Sequence, residues 1–95
     1  MALVVLDDFE WDDRKAAINL VKHGVSFAEA VTALSDPMAL TAPDLLEADR
    51  CVTIGISALS RTLFVVHTET SGHGRVRLIS ARKASPAQRE AYEKG

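Results

Sequence analysis

The sequence predicts an α+β fold: two N-terminal helices packed on a small antiparallel β-sheet of three to four strands, followed by a C-terminal helix. Three observations predict it. Apolar residues recur at helical spacing between residues 12 and 34. From residue 38 the period falls to two. Helix-start chemistry returns at Ser85. Helices and strands segregated this way indicate α+β rather than alternating βαβ units. The 95 residues imply one domain, 1–95.

Each element has a local reason. "FEW" at 9–11 reads as a short strand. Asp12 can cap a helix running to about Lys22, with Ala17, Leu20 and Val21 as its apolar stripe and Ile18 beside them. Gly24 suits the left-handed residue past a helix end, and Lys22 and His23 lie at the negative end of the helix dipole. "SFAE" at 26–29 reads as a capping box, in which Ser26 bonds the backbone of Glu29 and Glu29 reaches back. Phe27, Ala30, Val31 and Leu34 form the buried stripe of this second helix, which Asp36–Pro37 ends. "MALTA" at 38–42 and "RCVTIGI" at 50–56 read as strands. "TLFVVHTE" at 62–69 holds four consecutive apolar residues, as a central strand does. A turn at 70–75 leads into "RVRLISARK" at 75–83. Ser85 as cap, Pro86 and Gln88 start the last helix, which carries Ala91 and Tyr92.

The bulk numbers narrow the function. Hydrophobic residues make up 47% and charged residues 25%, the composition of an ordinary globular chain. The lone Cys51 rules out an internal disulfide and fits a reducing cytoplasm. "MALVVL" is too short for a membrane span and lacks the features of a signal peptide. The net charge of −2 hides an asymmetry. Residues 1–49 set three Lys and Arg against ten carboxylates, and residues 50–95 set eight against three. Such a dipolar chain suggests a basic face for an anionic partner, although sequence halves need not be faces.

His23, His67, His73 and Cys51 show no pair at metal-ligand spacing, so no metal or cofactor is expected. His67 and Glu69 share one face of their strand, and Arg75 and Arg77 share a face of the next. A hairpin between the two strands sets Glu69 near Arg75 and His67 near Arg77, in a register that a one-residue slip would turn away. A histidine, a carboxylate and guanidinium groups on one surface are what metal-free phosphodiester cleavage requires. A nearby Glu69 would raise the His67 pKa and favour an acid role. The alternative is plain sheet decoration: cross-strand Glu–Arg pairs are common, and a strand histidine is often simply packed.

"FEWDDRKAAINLVKHGVSFAEA", "RCVTIG", "LFVVHTE", "RLISARKAS" and "REAYEKG" occur in an order that resembles the BrnT family, toxins of bacterial type II toxin–antitoxin pairs. The resemblance spans residues 9–95. It departs at Asp13, where the family often has proline, and at Thr70, where it often has arginine. It implies a RelE-like fold and a metal-independent ribonuclease that blocks translation. It also implies a BrnA-type antitoxin through which alone the complex meets operator DNA. Carried over residue by residue, it implies a catalytic set of His67, Glu69, Arg77 and Arg82. Lys22, His23, Arg50 and Lys83 are implied to bind substrate RNA. Two other readings stand beside it: a non-cleaving module that assembles with an antitoxin as a repressor, and an unrelated α+β domain. Convergence of His67, Glu69, Arg77 and Arg82 favours cleavage; their dispersal favours assembly.

Overall fold

Two short strands, not a helix, begin the chain. The computed structural model describes residues 2–69 and 74–95; Thr70, His73 and most of the expected turn at 70–75 lie outside them. The order is β1 (Leu3–Leu6), β2 (Phe9–Asp12), α1 (Asp13–His23), α2 (Phe27–Leu34), β3 (Leu40–Pro43), β4 (Cys51–Ile56), β5 (Thr62–Glu69), β6 (Val76–Lys83) and α3 (Pro86–Lys94). The α+β class holds, but the strands number six rather than three or four and run β1-β2-β6-β5-β4-β3. They are not all antiparallel, because β2 pairs with β6 in parallel through Phe9↔Val76 and Glu10↔Arg77. β1 folds back on β2 across Asp7–Asp8, with Asp7 at φ 54. An aspartate that tolerates the left-handed region is what such a two-residue turn needs.

The caps behave as their chemistry dictates. The Asp12 side chain accepts from the Arg14 N–H, and Gly24 takes φ 69 with its N–H on the Leu20 carbonyl. Ser85 and Gln88 form a complete capping box. Ser26 accepts from the Glu29 N–H at 3.0 Å, but the Glu29 carboxylate does not reach back. It turns instead to Ser57 Oγ at 2.7 Å and to Arg61, whose guanidinium also donates to the Gly24 carbonyl. The Arg61 bonds hold the Glu29 carboxyl below the usual carboxylate range, against the upward push of burial.

The core lies between the sheet and α2. Phe27, Ala30, Val31 and Ala33 pack with Leu63, Val65, Leu78 and Ala81, and Trp11 meets Phe27 edge to face at 6.0 Å. α2 sits close: a Cβ on Gly55 would lie 2.4 Å from the Ala33 carbonyl oxygen. α1 does not follow the expected pattern. Ala17, Ile18, Leu20 and Val21 face solvent, and the buried residue is the polar Asn19. The cause is an exposed strand edge. β2 covers β6 only at Val76 and Arg77, which leaves later backbone groups of β6 unpaired. The Asn19 amide fills the gap, donating to the Ala81 carbonyl at 2.8 Å and accepting from the Ala81 N–H at 3.1 Å. A third bond runs to the Val25 carbonyl. α1 therefore lies along the edge of β6, pinned by a side chain that mimics a strand.

Candidate nucleic-acid interface

Register decides which side chains meet. β5 and β6 pair as Val65↔Ala81 and Val66↔Ser80, then as His67↔Leu78, Thr68↔Arg77 and Glu69↔Val76. The extra residue is Ile79, a bulge that moves the hairpin by one position. His67 follows Leu63 and Val65 onto the helix-side face by the alternation of β5, with Glu69 after it, and the bulge brings Leu78 rather than Arg77 to that face. Arg77 and Arg82 occupy the opposite face, opposite Thr68 and Phe64. The expected neighbours Glu69–Arg75 and His67–Arg77 do not form, and the four residues of the implied catalytic set fall on two sides of the sheet.

On the helix side, His67 Nε2 lies 2.7 Å from Thr53 Oγ1, which lies 2.8 Å from Thr41 Oγ1. Burial lowers the His67 pKa; Glu69 does not raise it. This direction has a consequence for stability. Unfolding frees His67 to titrate at its ordinary 6.5, so the unfolded chain takes up the proton first as pH falls. Stability should decline below about pH 6.5. The Glu29 and Asp36 carboxyls, both held low by hydrogen bonds, should add a further loss below their ordinary 4.5 and 3.8. Urea midpoints measured from pH 7.5 to 3 check this: His67→Gln should flatten only the upper limb. Lys83 also lies on this side and lines a cleft with Arg61 and Arg89.

The other face carries the cations. Arg77 donates to Glu10 at 2.8 Å, and Arg75 lies 3.6 Å from the same buried carboxylate. The Arg82 guanidinium sits 4.4 Å above the centre of the Phe64 ring and donates to Gln88 of α3. Arg50 precedes Cys51 and is in phase with Val52 and Ile54, facing the same way. At the β6 edge, a cleft of about 420 Å³ is lined by Asp12, Lys15 and Arg77. Beside it, a cleft of about 200 Å³ is lined by Lys15, Lys22, His23, Ile79 and Ser80. Lys15 lines both clefts, which together are the α1–β6 groove, and Ala2 and Leu3 complete the first. Lys15 was not among the residues expected from the sequence; its place on the same arc of α1 as Lys22 was the available signal. Among the described residues, no three His, Cys, Asp or Glu side chains gather as a metal site.

A sequence profile described as "Ribonuclease toxin, BrnT, of type II toxin-antitoxin system" matches residues 11–88. The chain belongs to the BrnT family. The crystal structure of the Brucella abortus ribonuclease toxin, BrnT, is similar in fold, with a TM-score of 0.64 and 32% identity over 79% of this chain and 92% of that one. No curated protein matches the chain. The BrnT profile begins at Trp11, so β1 lies outside it. BrnT membership implies an antitoxin partner. No helix among the described residues is long and apolar enough to cross a membrane.

Proposed function

We propose that this chain is a metal-independent endoribonuclease that inhibits translation, is neutralised by a BrnA-type antitoxin, and binds RNA along the α1–β6 groove. The observation that carries the reading is that Lys15, Lys22 and His23 line one cleft beside β6 and Lys15 and Arg77 line the next, with Arg82 further along the same strand. Lys15, Lys22 and Arg77 offset the charge that builds on phosphorus. The ribose 2′-oxygen attacks phosphorus and the bond to the 5′-oxygen breaks. One group takes the 2′-hydroxyl proton and another supplies a proton to the leaving oxygen. His23 is the histidine on the groove and takes the proton-moving role here, in place of His67.

The test is cleavage of a labelled RNA by the purified chain. Cleavage should survive chelator and leave a 2′,3′-cyclic phosphate; loss in chelator with recovery in magnesium, or 5′-phosphate products, would refute it. Binding should weaken steeply with salt. Arg77→Ala and Lys22→Ala should each lower the salt slope by about one unit, as loss of one phosphate contact does. A flat salt response contradicts the reading. One observation favours the second reading, a non-cleaving partner of the antitoxin in a repressor: His67 and Glu69 stand on the face opposite Arg77 and Arg82. A purified chain that binds antitoxin and leaves RNA intact would establish it.

A further inference from the structure

The large apolar residues of α1 face water while its polar Asn19 is buried beside Ala16, the reverse of an ordinary surface helix. Ile18 is 57% exposed and Val21 89%. With Ala17 and Lys22 they line a shallow cleft of about 360 Å³ on the outer side of the helix. At 100° per residue, Ala17, Val21, Arg14, Ile18, Lys22 and Lys15 follow one another around a single arc. Ala17 and Val21 make one border apolar, Lys22 and Lys15 make the other basic, and Arg14 lies between Val21 and Ile18.

We infer that this arc seats an acidic amphipathic helix of the antitoxin. The inference rests on the toxin reading above. A ridge of residues spaced three and four apart accepts the matching groove of a second helix. Lys15 and Lys22 along the border, with Arg14 within the ridge, call for carboxylates on that helix. They also disfavour a second copy of the same arc, because twofold pairing would set like charges opposite one another. The position explains neutralisation. Ile18 and Lys22 line both this cleft and the groove that holds His23 and Ser80. A helix laid on the arc therefore takes Lys22 and Lys15 away from phosphate, and antitoxin and RNA exclude each other.

The experiment uses the purified chain, its purified BrnA-type antitoxin, and Val21→Glu, with Ala17→Arg as a second variant. Both positions are exposed and lie outside the proposed RNA groove. Calorimetry should show antitoxin affinity reduced about thirtyfold, the size of an interface hot spot, with RNA cleavage unchanged. Undiminished antitoxin binding in both variants overturns the inference. So does a loss confined to Leu45→Glu or Leu46→Glu, which would seat the antitoxin on the exposed loop between β3 and β4. A dimer of the chain alone that Val21→Glu dissociates also overturns it, making a second copy the occupant. If the chain cleaves no RNA yet Val21→Glu loses antitoxin, the nuclease reading fails and the docking inference stands.

Discussion

Replacing His23 with alanine should cut RNA cleavage at neutral pH by about a hundredfold or more, the usual worth of a positioned proton-transfer group. His67→Ala should leave most of the activity. The expectation follows from register. His67 continues the Leu63–Val65 alternation of β5 onto the helix side, where its Nε2 lies 2.7 Å from Thr53 Oγ1, while the bulge at Ile79 turns Arg77 to the other face. His23 instead opens onto the groove that Lys15, Lys22 and Ser80 line. Single-turnover cleavage of a labelled RNA by the two variants decides between them. The opposite outcome, activity lost in His67→Ala and kept in His23→Ala, would return the chemistry to the face of Glu69 and leave Arg77 with no direct part in it. Arg82→Ala should weaken cleavage through loss of a fixed cation, by about 3–4 kcal/mol of transition-state stabilisation if it touches the reacting phosphate.

Asn19→Ala should destabilise the fold by about 3 kcal/mol, a large share of the 5–15 kcal/mol typical of a domain. The substitution removes three buried hydrogen bonds and strands the Ala81 N–H, the Ala81 carbonyl and the Val25 carbonyl. Unpaired buried groups cost about 1–3 kcal/mol each, and water entering at the helix edge recovers part of that. Asn19→Asp should do at least as much damage, because it loses both donors and buries a charge. Urea unfolding followed by tryptophan fluorescence measures the effect, since Trp11 lies in the core against Phe27. A loss under 1 kcal/mol would mean that α1 is held by other contacts.

How much of this was legible in the sequence depended on distance along the chain. Asp12, Gly24, Ser26 and Ser85 act on backbone groups a few residues away, and all four function as local chemistry predicts. Glu29 departs from its local role because its partners Ser57 and Arg61 arrive from 28 and 32 residues downstream. The stripe of Ala17, Leu20 and Val21 is real as a pattern, but periodicity cannot say which side of a helix meets the protein. Here a strand edge that needed hydrogen bonds outcompeted the apolar side. β1 is not legible because "LVVL" lacks alternation, although Asp7–Asp8 beside it is turn chemistry. The site was half legible. Lys22, Arg50, Arg77 and Arg82 are legible by residue type as cations suited to phosphate, whereas the bulge that turns Arg77 away from Glu69 leaves no mark on spacing. Lys15 joined them only once α1 was laid against β6.

The parallel pairing of β2 with β6 also sets a timetable for the making of the protein. Residues 9 and 10 close their ladder only with residues 76 and 77, and Asn19 waits for Ala81. Contacts this distant in sequence form late and slowly. On a translating ribosome the first two-thirds of the chain can build α2 and begin the β3–β5 meander, but the α1–β6 groove does not exist until β6 has emerged. Until then the chain lacks the surface on which the proposed cleavage depends. Truncations ending before residue 76 should lack a defined groove, and pausing late in the message should delay the onset of toxicity rather than lower its final level.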